Sequence, residues 1–191
     1  MKLSNLNGAM MNNRTDKRII KTTNLQLIPC ELAHIEAIMR DTKELEQMLS
    51  ITVPDNWPEF PESIPHVYEL LKSDPSSLEW GYHLFIHAKD RALIGEGGYK
   101  GKPDAEGMVE IGYAIVPEYR RRGFASEAAR GLTDHAFLHP EVNSVQAHTL
   151  TDGTASINVL TKLGMKFAGT ANDPDEGEVS RWIVERKDYI S

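Results

Sequence analysis

Residues Glu110–Leu132 read EIGYAIVPEYRRRGFASEAARGL: an alternating segment, a proline break, three arginines, a glycine and an amphipathic stretch. Val109, Ile111, Tyr113 and Ile115 recur at every second position, the period of a strand with one buried face. Phe124, Ala128, Leu132 and Ala136 then step by four, which gives a helix one buried stripe. Amides at a helix N-terminus lack intrahelical partners and carry partial positive charge, so a glycine turn entering a helix can wrap an anion. Arg120, Arg121 and Arg122 add full charges at that end. No G-x-x-x-x-G-K-[ST] pattern is present, so the turn is not a nucleotide P-loop, and a strand–glycine–helix junction also occurs without a ligand.

Working outward, Thr23–Ile28 alternates and stops at Pro29, predicting a first strand. Leu32, Ile35, Ile38, Met39, Leu45, Met48 and Leu49 recur at helical spacing. Residues Ile51–Pro65 hold four prolines and are expected to be mostly loop, followed by a short helix marked by Val67, Leu70 and Leu71. From Trp80 the period becomes two, and Asp90-Arg91 separates two antiparallel strands, the second being Ala92–Tyr99. After the central segment come a strand at Val145–Leu150, a helix at Thr154–Leu163 ended by Gly164, and strands at Met165–Gly169 and Glu178–Tyr189. This order predicts an α+β (mixed α/β) layer with helices covering a sheet.

The chain of 191 residues, 40% hydrophobic and 26% charged, suffices for one domain with a core. We expect that domain at 19–191, after a loosely ordered segment at 1–18 that is polar, rich in Asn and without the apolar stretch of a secretory signal. No apolar run approaches the ~18–20 residues of a membrane span, so a cytoplasmic protein without a membrane partner is expected. Cys30 has no partner for a disulfide and reads as a packing residue. The net charge of −7 argues against a nucleic-acid surface and for a cationic substrate.

The segment Arg120–Ala125, RRRGFA, resembles the R/Q-x-x-G-x-G/A signature of the GNAT N-acyltransferase superfamily. Glu110–Val116 is similar to that family's preceding strand, and Ser156–Met165, SINVLTKLGM, to its later helix and Lys-x-Gly-Phe ending. Thr23–Pro29, TNLQLIP, resembles the opening strand of the branch with the ribosomal-protein-serine/alanine N-acetyltransferases, and the resemblance covers roughly residues 20–188. It implies a twisted, mostly antiparallel sheet of six to seven strands flanked by helices, and an enzyme in which an amine attacks acetyl-CoA directly in a ternary complex. The diphosphate would lie over Arg121, Arg122, Gly123, Phe124, Ala125 and Ser126, and the pantetheine arm along Tyr113, Ala114 and Ile115. The acceptor is a primary amine, either a protein N-terminus or a small molecule, and the assembly a monomer or homodimer. A non-catalytic acyl-CoA-binding module is the rival reading.

Such a transfer needs a held thioester, a neutral amine and a stabilised oxyanion. An alkyl amine arrives protonated, so a base must take a proton, and Glu96 and Glu110, both inside predicted strands, are the candidates. Each could equally be a solvated strand charge. Gly112 and Ala114 share a strand face with Glu110, which leaves room either for an apolar arm or for a close-packed helix. Many relatives return the proton to the thiolate from a Tyr whose place here is Leu160; Ser156 is the substitute, although the Asn that precedes such a Ser in the ribosomal-protein branch is Gly153 here. Asp55, Trp57 and Phe60 lie in the loop that walls the family's acceptor cleft and suit a cationic amine, or else form a stiff lid. The seven histidines are scattered, and His83 and His87 have no acidic partner at ligand spacing, so no metal is expected.

Overall fold

The computed structural model describes residues 18–174 and 176–189. The segment expected to be loose, 1–18, lies outside them except for Arg18. In chain order the elements are β1 (Ile20–Lys21), β2 (Leu25–Pro29), α1 (Leu32–Arg40), α2 (Thr42–Leu49), α3 (Ser63–Ser73), β3 (Tyr82–His87), β4 (Ala92–Tyr99) and β5 (Met108–Ile115). There follow α4 (Phe124–Ala136), β6 (Ser144–Leu150), α5 (Thr154–Lys162), β7 (Lys166–Asp173) and β8 (Gly177–Glu185). One eight-stranded sheet runs β1-β2-β3-β4-β5-β6-β8-β7, and only β5 and β6 pair in parallel.

The α+β architecture is as expected, with one strand more than the six to seven anticipated. The addition is β1, whose two residues are too few to show a period. Asp41 divides the first helical region: its extended backbone ends α1, and its side chain accepts from Lys43 N–H to cap α2. α3 starts inside the supposed Pro-rich loop, because Pro65 falls in its first turn, where a missing N–H costs no helical bond. The strand expected from Trp80 begins at Tyr82, and the last strand ends at Glu185, with a short 3-10 turn at Arg186–Asp188.

The periodic residues become the core. Val109, Ile111 and Ile115 of β5 are buried, as are Phe124, Ala128, Leu132 and Ala136 of α4, which packs on β5. Leu25, Leu27, Leu84, Phe85, Leu93 and Ile94 fill neighbouring strands. Each such Leu, Ile or Phe contributes about 1.5–3 kcal/mol by leaving water. Tyr99 Oη donates to Leu132 O at 2.6 Å, fixing α4 against the sheet. Cys30 is buried, as its packing role requires. No helix among the described residues is long and apolar enough to cross a membrane.

Candidate active site

β5 and β6 pair only at Met108–Ser144, Val109–Val145 and Glu110–Gln146, yet β5 continues to Ile115 and β6 to Leu150. The far edge of β6 stays on β8 as far as Leu150, so the two central strands part beyond Glu110 and open a wedge in the sheet. Lys100 N–H donates to Glu110 O and Val116 N–H to Ile94 O, both at 2.9 Å. By the alternation of an antiparallel ladder, Ile111, Tyr113 and Ile115 then turn their backbone groups into the wedge, whereas Ala114 turns its own towards Glu96 of β4. Tyr113 Oη and Thr149 Oγ1, on the two parting strands, are buried without a hydrogen-bond partner. Orphaned buried hydroxyls are uncommon, and these fit a polar ligand between the strands.

The wedge leads to the arginine turn. Arg121 adopts φ 58° and Gly123 φ 88°, and Gly123 is the N-cap of α4. The first helical bond runs from Glu127 N–H to Gly123 O, which leaves the amides of Phe124, Ala125 and Ser126 without helical acceptors. A Cβ on Gly123 would meet nothing within 4 Å, so this backbone faces open space. The arginines divide by role. Arg120 donates from Nε to Ile115 O at 2.6 Å and pairs with Glu59 at 2.7 Å, tying the strand end to the Pro-rich loop. Arg122 stacks on the Tyr119 and Phe124 rings, 4.8 and 5.1 Å from their centroids. Arg121 is exposed and enters no ion pair among the described residues.

Glu110, Gly112 and Ala114 share one face of β5, and Glu96 stands opposite Ala114 on the same face. A Cβ on Gly112 would meet only the Lys100 side chain, at 3.9 Å. The small residues therefore leave room rather than admit a helix. Two carboxylates border that room, in different states. Burial raises the Glu96 carboxyl above its usual range against hydrogen bonds from Tyr82 Oη, at 2.6 Å, and from the Phe60 and Glu59 amides. Burial also pushes Glu110 up, but Lys100 at 2.7 Å and His148 Nδ1 at 3.0 Å outweigh it and hold that carboxyl below its usual range. Gln146 Nε2 donates to the other Glu110 oxygen at 2.8 Å, while Gln146 Oε1 accepts from Arg181 Nε at 2.8 Å.

His148 was missed in the sequence. It lies two residues past the last β5–β6 pair, and only the parallel register brings it beside Glu110. In the loop, Asp55 and Phe60 are exposed, whereas Trp57 is buried among core residues with its indole N–H unpartnered. Ser156 is half-buried in the first turn of α5, and Leu160 is fully buried. His87 does find an acidic partner, Asp90 at 3.0 Å, because the turn after β3 folds back onto the strand. His83 gives its Nδ1 to Gly81 O at 2.9 Å and is enclosed.

A mostly antiparallel sheet whose one parallel pair parts over a glycine turn and a helix N-terminus is the fold of the GNAT acetyltransferases. The chain belongs to that family: the model described as acetyltransferase (GNAT) domain matches residues 24–166. It is 27% identical over 171 residues, 88% of this chain and 99% of the relative, to the uncharacterized N-acetyltransferase YjdG of Bacillus subtilis. Its fold is similar to that of RimL, a ribosomal L7/L12 alpha-N-protein acetyltransferase solved with coenzyme A, at TM-score 0.64 and 16% identity over 87% of this chain and 97% of the other. A chimera of the spermidine N-acetyltransferase SpeG from Vibrio cholerae superposes at TM-score 0.63 with 16% identity, covering 86% and 97%. The protein is an acetyltransferase.

Proposed function

We propose that residues 19–191 act as one cytoplasmic domain that transfers an acetyl group from acetyl-CoA to a primary amine, by direct attack in a ternary complex. The observation that carries this reading is the wedge beyond Glu110 and Gln146, which opens towards the unpaired amides at the start of α4. In this reading the Tyr113 backbone and the Ile115 N–H, whose carbonyl is held by Arg120, face the pantetheine arm, much as a strand edge takes up another strand. Phe124, Ala125 and Ser126 amides, with Arg121 and Arg122, take the diphosphate. Ala114 contributes only its small side chain.

The room over Gly112 holds the amine. Glu96, with both oxygens engaged by the loop and Tyr82, acts as the anchor that sets the acceptor wall. The proton falls to the Glu110–His148 pair: Glu110 accepts from His148 Nδ1–H, which leaves Nε2 to take a proton from the amine. As nitrogen bonds to the acetyl carbon the carbon–sulfur bond breaks, and Ser156 Oγ–H gives its proton to the departing thiolate while its oxygen takes up the second proton that the nitrogen loses on becoming an amide. RimL acts on a protein amino group and SpeG on a polyamine, so the fold accepts both kinds of amine. A chain of net charge −7 with Asp55 exposed on the loop favours a cationic acceptor.

A panel of peptides and small amines, assayed for thiol release with acetyl-CoA, tests the proposal. Release that depends on a cationic amine is expected. Tight coenzyme A binding without thiol release from any amine would overturn catalysis and leave an acyl-CoA-binding module.

A further inference from the structure

At the opposite end of α4 from the arginine turn, three side chains far apart in sequence converge. Glu79 precedes β3, while His135 and His139 lie in the last turn of α4 and just beyond it. One ligand-capable atom from each lies within 4.8 Å of the other two. Glu79 Oε1 is 3.8 Å from His135 Nε2 and 3.6 Å from His139 Nε2. Twelve residues separate His135 from Gly123, about 18 Å along a helix, and Tyr99, which His135 touches, shares the Ile111 face of the sheet, opposite to that of Glu110 and Gly112, so the cluster is not part of the acetyl-transfer site.

The hydrogen bonding around His135 fixes which of its nitrogens faces Glu79. Tyr99 Oη gives its single proton to Leu132 O, so its 3.0 Å contact with His135 Nδ1 must be an N–H donated by the ring. A neutral His135 therefore presents an Nε2 lone pair, not a proton, to a carboxylate oxygen 3.8 Å away. Two electron pairs facing each other repel, and a cation between them removes the repulsion. An imidazole whose second nitrogen is tied by a hydrogen bond is also the usual state of a ligating histidine. His139 packs edge-on against the Trp80 ring, 4.7 Å between centroids, and its Nδ1 lies 3.7 Å from Glu141 Oε1, a longer contact than the hydrogen bond of His135.

We propose that Glu79, His135 and His139 bind a divalent transition-metal ion of the zinc type, clamping the segment before β3 to the end of α4. Two imidazoles and one carboxylate form a set that zinc accepts with water as fourth ligand, at bond lengths of about 2.0–2.1 Å. Tetrahedral bonds of that length place ligand atoms about 3.3 Å apart, so the two Glu79 edges close by about 0.3–0.5 Å and the His135–His139 edge, which is within 4.8 Å, by no more than about 1.5 Å. Torsions of Glu79 and His139 supply this movement, since their side chains are 40% and 23% exposed. The histidines looked scattered because the third ligand lies more than fifty residues upstream of them.

The test uses the untagged full chain, with zinc chloride titrated calorimetrically and cobalt chloride followed by its visible absorption. One ion per chain is expected, with an intense tetrahedral cobalt spectrum. Tm should rise roughly 5–10 °C at a hundredfold excess of zinc over Kd. His139→Ala and Glu79→Gln should each weaken binding at least about tenfold and abolish the cobalt spectrum, leaving coenzyme A affinity unchanged. The proposal fails if neither ion binds, or if both variants bind as the natural chain does. Should one variant not fold, the other decides.

Discussion

Replacing Gly123 with alanine separates the cost of its backbone from its role at the diphosphate. Gly123 has φ 88° and open space around its would-be Cβ, so the substitution causes no clash but strains the chain. A side chain in the left-handed region costs roughly 1–2 kcal/mol, or about 2–8 °C in Tm for a chain of this length. Gly164 provides the control. Its φ is 86°, its Cβ would also meet nothing within 4 Å, and it closes α5 with bonds from Gly164 N–H to Thr161 O and Met165 N–H to Leu160 O. The two variants should therefore lose similar stability, and the change in unfolded-chain entropy is common to both. Only Gly123→Ala puts a methyl group beside the amides of Phe124, Ala125 and Ser126. Calorimetry should show coenzyme A binding at least about tenfold weaker, some 1.4 kcal/mol, for Gly123→Ala and unchanged for Gly164→Ala. Equal coenzyme A affinity in both variants, with equal losses in Tm, would refute the diphosphate assignment. The β-branched Val is a poorer probe, because at this φ it threatens the fold as well.

If the Glu110–His148 pair takes the amine proton, Glu110→Gln and His148→Gln should each lower kcat by roughly two orders of magnitude, with coenzyme A affinity unchanged. Full kcat in both would remove the pair from the mechanism. Glu96→Gln should raise the acceptor KM through a loosened loop with little change in kcat; a collapse of kcat, with loss of an acid limb lying above the ordinary carboxylate value, would make Glu96 the base instead. His83 carries a pH dependence of stability: burial pushes its pKa down to about 4, so the unfolded chain binds the extra proton and stability falls as pH drops from about 6.5 towards 4. The share is about 3 kcal/mol, and His83→Asn should lose that much less than the natural chain in denaturant melts over this range. Identical slopes would show that His83 is not enclosed as described.

The sequence alone determined what depends on neighbours along the chain. The alternation of Val109, Ile111 and Ile115, the four-residue steps of α4, and glycines at the αL positions 123 and 164 are local demands, and each appeared in the structure where its pattern stood. Glu110, Gly112 and Ala114 could be assigned to one face because side chains alternate along any strand. What lay beyond reach was which strand stands beside which, and in what register. A period of two names the buried face of β5 but says nothing of β6 parting from it after Glu110, because pairing is a relation between segments far apart in the chain. His148 meets Glu110 across 38 positions, Arg120 meets Glu59 across 61, and Glu79 meets His135 across 56, each through contacts only the assembled sheet creates. The same assembly buried Trp57 although its loop is polar, since a tertiary core takes apolar surface from wherever the chain passes over it. Local patterns in this chain set most of the elements, though not β1 or the break at Asp41, and the non-local pairing of β5 with β6 decided where the charges of the site came together.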